Sequence, residues 1–169
     1  MFKKLFGLKE ETTQVKEEGI FAPLSGKVVE LENVPDPTFS QKMMGDGLAI
    51  EPTEGKVVSP VDGVIVQFFH TKHAIGVKSR AGAEILIHVG LETVAMNGEG
   101  FKGHVKEGDK VKVGDLLITF DLALIKEKAA STITPIVITN GEIIDQMEKK
   151  TTNDAIKGET EIIHFSVKG

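Results

Sequence analysis

No apolar stretch in this chain runs far before a glycine, proline, aspartate or asparagine interrupts it. From Ile20 onward the apolar residues come in short segments with a period near two. These are Ile20–Phe21, Lys27–Leu31, Leu48–Ile50, Val57–Val58, Val64–Phe69, Ile75–Lys78, Glu84–Val89, Val111–Val113, Leu116–Phe120, Ile136–Thr139 and Glu161–Val167. Alternation over so few residues, bounded by turn formers, predicts strands. The 18 glycines supply corners that need positive φ. The expected class is all-β, an antiparallel sandwich or barrel with a few short helices. Two segments read as helices, Thr38–Met44 and Leu122–Ala130, the latter with Asp121 as its N-cap. Glu142–Lys149 is expected to add a turn or two of helix.

An internal echo refines this class. Ala22-Pro23-Leu24-Ser25-Gly26 precedes Lys27-Val28-Val29, and Ser59-Pro60-Val61-Asp62-Gly63 precedes Val64-Ile65-Val66, an offset of 60 − 23 = 37 residues. Each copy reads small-Pro-apolar-polar-Gly at the start of a strand. Two copies are too few for a solenoid and suggest a duplicated β unit packed on itself. Gly108-Asp109 and Gly114-Asp115 make two further corners. They resemble the turns of biotinyl and lipoyl carrier domains, but the Met-Lys-Met of such a carrier is absent from the sequence.

The 169 residues suit one domain, over 19–169, behind a polar N-terminal tail over 1–18. In the tail, Phe2, Leu5 and Phe6 have the spacing of a short amphipathic turn, whose most ambitious use is weak contact with a membrane surface. No apolar run approaches the roughly 18 residues of a membrane span. No secretory core follows Met1. A cytoplasmic protein is expected. With no cysteine, a disulfide framework, a cysteine metal site and a thiol nucleophile are excluded. The charge balance of 20 − 25 = −5 argues against nucleic-acid binding.

The five histidines are the side chains that titrate near neutral pH without large shifts. In Glu84-Ile85-Leu86-Ile87-His88-Val89-Gly90, alternation puts Ile85, Ile87 and Val89 on one face and Leu86 with His88 on the other. Both faces are apolar, so from this strand alone His88 reads as a core histidine with a satisfied ring. His73 lies 15 residues earlier, a separation that suits two antiparallel strands joined by Ser79–Gly82. His73 and His88 would then face each other. Such a pair offers a nucleophile and a hydrogen-bond donor for an anion, or two metal ligands. Thr71 shares a face with His73 by alternation and is placed to orient its ring. His70 falls on the opposite face, His104 is expected to be solvated, and His164 has no carboxylate or partner motif beside it.

Other chemistries lack their motifs. The chain has no P-loop, no G-x-S-x-G elbow and no H-E-x-x-H. Duplicated β units also occur in lysostaphin-type metallopeptidases. Here His88 and Glu92 make His-x-x-x-Glu, but position 86 is leucine, so the catalytic zinc set is incomplete.

Many blocks in order together resemble the glucose-type IIA component of the bacterial phosphoenolpyruvate:sugar phosphotransferase system. They include Ala22–Gly26, Val34-Pro35-Asp36, Met44–Ile50, Pro60–Gly63, His73-Ala74, Ile87–Gly90, Gly98–Phe101, Gly108–Asp115, Phe120-Asp121-Leu122 and Ser131–Pro135. The resemblance spans about Ile20 to Val167. It implies a β-sandwich of duplicated form and a phosphotransferase role in a multi-protein relay. His88 would accept a phosphoryl group from the phosphohistidine of HPr and pass it to the IIB domain of a sugar permease. His73 would stabilise the phosphoryl oxygens, and Thr71 would steady His73. Attack through Nε2 of His88 is expected, with its other nitrogen held by a backbone carbonyl such as that of Gly90. Phe39, Met43, Met44, Phe69, Leu86 and Val89 are the expected apolar docking patch. No bound cofactor is implied, and His73 and His88 would hold zinc only if a partner added a ligand. A regulatory module, whose phosphorylation state governs its binding to transporters or kinases, is the alternative. A zinc hydrolase using His73, His88 and Glu92 is the less favoured one.

Overall fold

The computed structural model describes residues 15–169, in which fourteen strands form three antiparallel sheets. The expected all-β architecture is what the chain adopts. The largest sheet has eight strands. In spatial order they are β13 (Thr152–Ala155), β2 (Gly26–Glu30), β3 (Asp46–Pro52), β11 (Thr134–Ile138), β7 (Glu84–His88), β6 (Ala74–Ser79), β5 (Gly63–Phe68) and β9 (Lys110–Val111). A second sheet joins β4 (Lys56–Val58), β10 (Leu116–Phe120) and β8 (Phe101–Gly103). The third joins β1 (Glu17–Phe21), β14 (Glu161–Val167) and β12 (Ile144–Lys149). Among the described residues, no helix is long and apolar enough to cross a membrane.

The two sequence echoes meet in the fold. The Phe21 N–H donates to the Pro60 carbonyl at 2.9 Å, and the Val58 N–H donates to the Pro23 carbonyl at 2.8 Å. The exchange is reciprocal, as a duplicated unit packed on itself requires. Each copy also accepts one matching bond from elsewhere: Gly158 N–H donates to the Ala22 carbonyl at 2.8 Å, and Gly114 N–H to the Ser59 carbonyl at 2.9 Å.

The large sheet buries both faces near its centre. Ile75, Val77, Ile85, Ile87, Ile136 and Ile138 point into the main core, where Phe165 and Leu117 also lie. Ala74, Leu86, Ala49 and Val137 point the other way, into a smaller apolar cluster closed by Leu31, Val34, Phe39, Leu91 and Ile133. Each fully buried aliphatic or aromatic side chain contributes about 1.5–3 kcal/mol relative to exposure. This second cluster turns one face of β7 and β6 into the floor of a site, because the segment over it carries Phe39.

Three helix expectations meet different outcomes. Leu122–Ala130 forms α2 (Leu122–Lys128), and Asp121 caps it by accepting from the Leu124 N–H at 3.1 Å. Thr38–Met44 is helical only over α1 (Pro37–Ser40), after which the left-handed Lys42 ends it. Glu142–Lys149 is not helical, apart from a short 3-10 turn over Gly141–Ile143 that precedes β12. The error has a physical source. Ile144 and Met147 both pack on the core, a helical spacing, but a bulge between Ile144 and Gln146 produces it. At the N-terminus, Glu17 and Glu18 belong to β1 and not to a tail, while the amphipathic turn at Phe2, Leu5 and Phe6 lies outside the described residues.

Candidate functional site

The hairpin of β6 and β7 builds the site. As expected from the spacing, the strands are antiparallel neighbours joined through Ser79–Gly82, with Ala74 paired to His88. The Val89 N–H donates to the His73 carbonyl at 2.7 Å, which fastens the chain just outside each strand to the other. The two imidazoles therefore lie side by side. Their centroids are 4.9 Å apart and their planes stand at 80°, edge against face.

Each ring is anchored through Nδ1. Nδ1 of His88 donates to the Gly90 carbonyl at 2.9 Å. In the neutral ring this leaves Nε2 as the nitrogen with a free lone pair. Gly90 reaches back because its φ is +72°, a left-handed conformation that glycine adopts without strain. Nδ1 of His73 lies 2.6 Å from the Thr71 hydroxyl, and both groups are buried. When that hydroxyl donates, Nε2 of His73 carries the ring proton. Thr71 does reach His73, but not through strand alternation. Residues 70–73 form a turn in which Lys72 has φ +63°, and the turn folds the hydroxyl onto the ring.

The surroundings keep both rings neutral. Burial is the main cause that pushes His73 down to about 4, and the neighbouring His88 adds to it. Burial also lowers His88, opposed by the Gly90 carbonyl and the charge of Asp36. Asp36 caps α1, accepting from the Thr38 N–H at 2.9 Å. Nothing in the local sequence around Asp36 signals this electrostatic part. Its effect depends on a helix start that the tertiary fold brings over β7.

The expected apolar patch is only partly a surface. The Phe39 ring lies 5.2 Å from His88, and the Phe69 ring lies 5.4 Å from His73, edge on. Met43 is 70% exposed and Met44 is 40% exposed. Leu86 is buried beneath His88 in the smaller cluster. Val89 has to be removed from the patch. It is fully buried in the main core, on the opposite face of the sheet from His88. His70 is exposed, as alternation suggested. His104 is exposed too, with Nε2 3.0 Å from the Thr119 hydroxyl. His164 does gain carboxylates, Glu17 at 3.0 Å across the paired β1 and β14, and Glu161 at 3.5 Å three residues back on β14 itself. Glu92 is exposed in a left-handed turn, and among the described residues no three His, Cys, Asp or Glu side chains form a metal-holding group.

Chemically, the arrangement presents one nucleophilic imidazole nitrogen beside a second imidazole that can donate, in an apolar setting. That is what transient attachment of an anionic group requires.

Comparison with known proteins bears on the same region. A PTS system glucose-specific EIIA component of Halalkalibacterium halodurans is 58% identical over 173 residues, covering 100% of both chains. One from Bacillus anthracis is 62% identical over 168 residues, with 99% of this chain and 100% of the relative covered. In three dimensions the chain is similar to the glucose permease IIA from Mycoplasma capricolum. The TM-score is 0.80 at 35% identity, over 89% of this chain and 96% of that one. Residues 18–144 match the family described as phosphoenolpyruvate-dependent sugar phosphotransferase system, EIIA 1, and the chain belongs to that family.

Proposed function

We propose that the protein carries a phosphoryl group on Nε2 of His88, taken from the phosphohistidine of HPr and delivered to the IIB domain of a glucose-type permease. The observation that carries this reading is the opposed anchoring of the two Nδ1 atoms, His88 on the Gly90 carbonyl and His73 on Thr71. It leaves two Nε2 atoms for one phosphoryl group, one as nucleophile and one as donor.

In the first transfer the P–N bond to HPr breaks as a P–N bond to Nε2 of His88 forms. The proton on Nδ1 of His88 stays in place. Positive charge that develops on the ring is met by the Gly90 carbonyl and, at longer range, by Asp36. The N–H at Nε2 of His73 donates to a phosphoryl oxygen, with the Thr71 hydroxyl donating to its Nδ1. Transfer of this kind depends on positioning and charge stabilisation more than on covalent help. Phe39 and Phe69 keep water from the phosphohistidine. In the second transfer the P–N bond at Nε2 of His88 breaks as a P–S bond to a cysteine of the IIB domain forms, and the thiol proton leaves to solvent. The name of the sugar comes from the relatives, which are glucose-specific by name.

The test supplies phosphorus-labelled phosphoenolpyruvate with purified enzyme I and HPr. Label that is acid-labile and base-stable is expected in the wild type and absent in His88→Ala. In His73→Gln, label is expected to remain on His88 but to fail to pass to IIB. Labelled HPr with unlabelled wild-type protein would overturn the reading.

A further inference from the structure

The protein is acidic, with a net charge of −5, yet one groove on its large sheet is lined by four cations. The register explains how they meet. Val64 of β5 pairs with Lys78 on β6 and with Lys110 on β9, so these three side chains form one row on one face. Two residues further along, Arg80 and Lys112 continue the same face by alternation. The face is the outer one, since Ile65 and Val77 of the same strands point into the core. All four cations are exposed, and none pairs with a carboxylate among the described residues. Asp62 and Asp115 also line the groove. Each is engaged by backbone, Asp62 accepting from the Val113 N–H and Asp115 from the Lys112 N–H, both at 2.9 Å.

The floor between Lys78 and Lys110 is Val64, apolar and partly exposed. The result is a groove of about 530 Å³, with Lys78 and Arg80 on one wall and Lys110 and Lys112 on the other. The walls are two strand spacings apart, about 9.6 Å. His88 stands on the same face, level with Ala74, four residues from Lys78 along β6 and so about 13 Å away.

We infer that this groove binds a small bisphosphorylated or otherwise doubly anionic organic ligand, its two charged ends on opposite walls and its neutral middle over Val64. A single anionic group would satisfy one wall and leave the other bare. Arg80, the chain's sole arginine, supplies the bidentate donor that a phosphate end prefers. The valine floor excludes an ionic middle, since charge over it would lose hydration without a partner.

Hexane-1,6-diyl bisphosphate is the probe, titrated into nitrogen-15-labelled full-length protein and followed by amide shifts. Saturable shifts are expected at Val64, Lys78–Arg80 and Lys110–Lys112, and they should weaken as salt is raised. Hexyl monophosphate should bind at least about tenfold more weakly. Arg80→Ser with Lys112→Ser should cut bisphosphate affinity by about tenfold or more, while the unchanged amide spectrum elsewhere shows an intact fold. Shifts centred on His88, equal binding of the monophosphate, or full binding by the double variant would each overturn the inference. So would binding only to phosphatidylglycerol vesicles or to polyglutamate, which would mark the groove as a macromolecular surface.

Discussion

The Thr71 hydroxyl lies 2.6 Å from Nδ1 of His73, inside a turn that also sets the approach of His73 to His88. A buried imidazole with one nitrogen taken has a single nitrogen left for chemistry. Thr71 is thus a positioning residue, acting on the phosphoryl group only through His73.

Thr71→Val keeps the shape of the side chain and removes the hydroxyl. Nδ1 of His73 is then buried without a partner, at a cost of about 1–3 kcal/mol in unfolding free energy. His88 should still accept label, and onward transfer should slow. Rescue by Thr71→Ser would separate positioning from packing. Equal transfer rates in wild type and Thr71→Val would remove Thr71 from the mechanism.

The stability should depend on pH through the histidine pair. His73 is held down to about 4, by burial first and by His88 second, and His88 is lowered by burial. In an unfolded chain an imidazole titrates near about 6.5. Between these values the unfolded state binds more protons, so stability rises with pH. The contribution is complete above about 6.5 and is lost as pH falls toward about 4, at most roughly 3 kcal/mol for His73. Urea midpoints across this range should fall more steeply in wild type than in His73→Gln. Parallel curves would contradict the assignment.

Gly90→Ala should damage the nucleophile without touching it. A Cβ there would stand 2.7 Å from Cγ2 of Thr93 and 2.8 Å from the Ser131 carbonyl, at a φ of +72°. The backbone must shift, and with it the carbonyl that holds Nδ1 of His88. A destabilisation above about 1 kcal/mol is expected, together with slower labelling of His88. A variant that labels at the wild-type rate would show that the Gly90 carbonyl does not matter.

Met43 tests the docking surface. It is 70% exposed, so Met43→Ser should change stability by less than about 0.5 kcal/mol. The concentration of phosphorylated HPr giving half-maximal labelling should rise, with the saturated rate unchanged. An unaltered concentration dependence would place the partner elsewhere.

Much of the architecture was legible in local pattern. Alternation at Glu84–Val89 marked both faces of β7 correctly, because the side chains of a strand alternate whatever lies above it. The echo at Pro23 and Pro60 announced a duplicated unit whose copies bond reciprocally. The two misreadings differ in cause. At Ile144–Met147 a bulge imitates a helical period, whereas alternation already sets Val89 opposite His88 and so outside any patch around that ring. Bulges and the covering of a face are set by neighbouring strands, which the local pattern does not contain.

The spacing of His73 and His88 and the turn residues between them make a hairpin from local propensity alone. Which nitrogen of each ring is free, how far each pKa falls and what shields the pair come from Gly90, Thr71, Phe39 and Asp36. The four cations of the groove come as two pairs, 110 − 78 = 32 residues apart in the chain, and the pairs share a face only because β5 pairs with both β6 and β9. Hydrogen-bond direction, desolvation and charge proximity are properties of three-dimensional distance. Side-chain alternation is a property of the chain, and that is the division between the two.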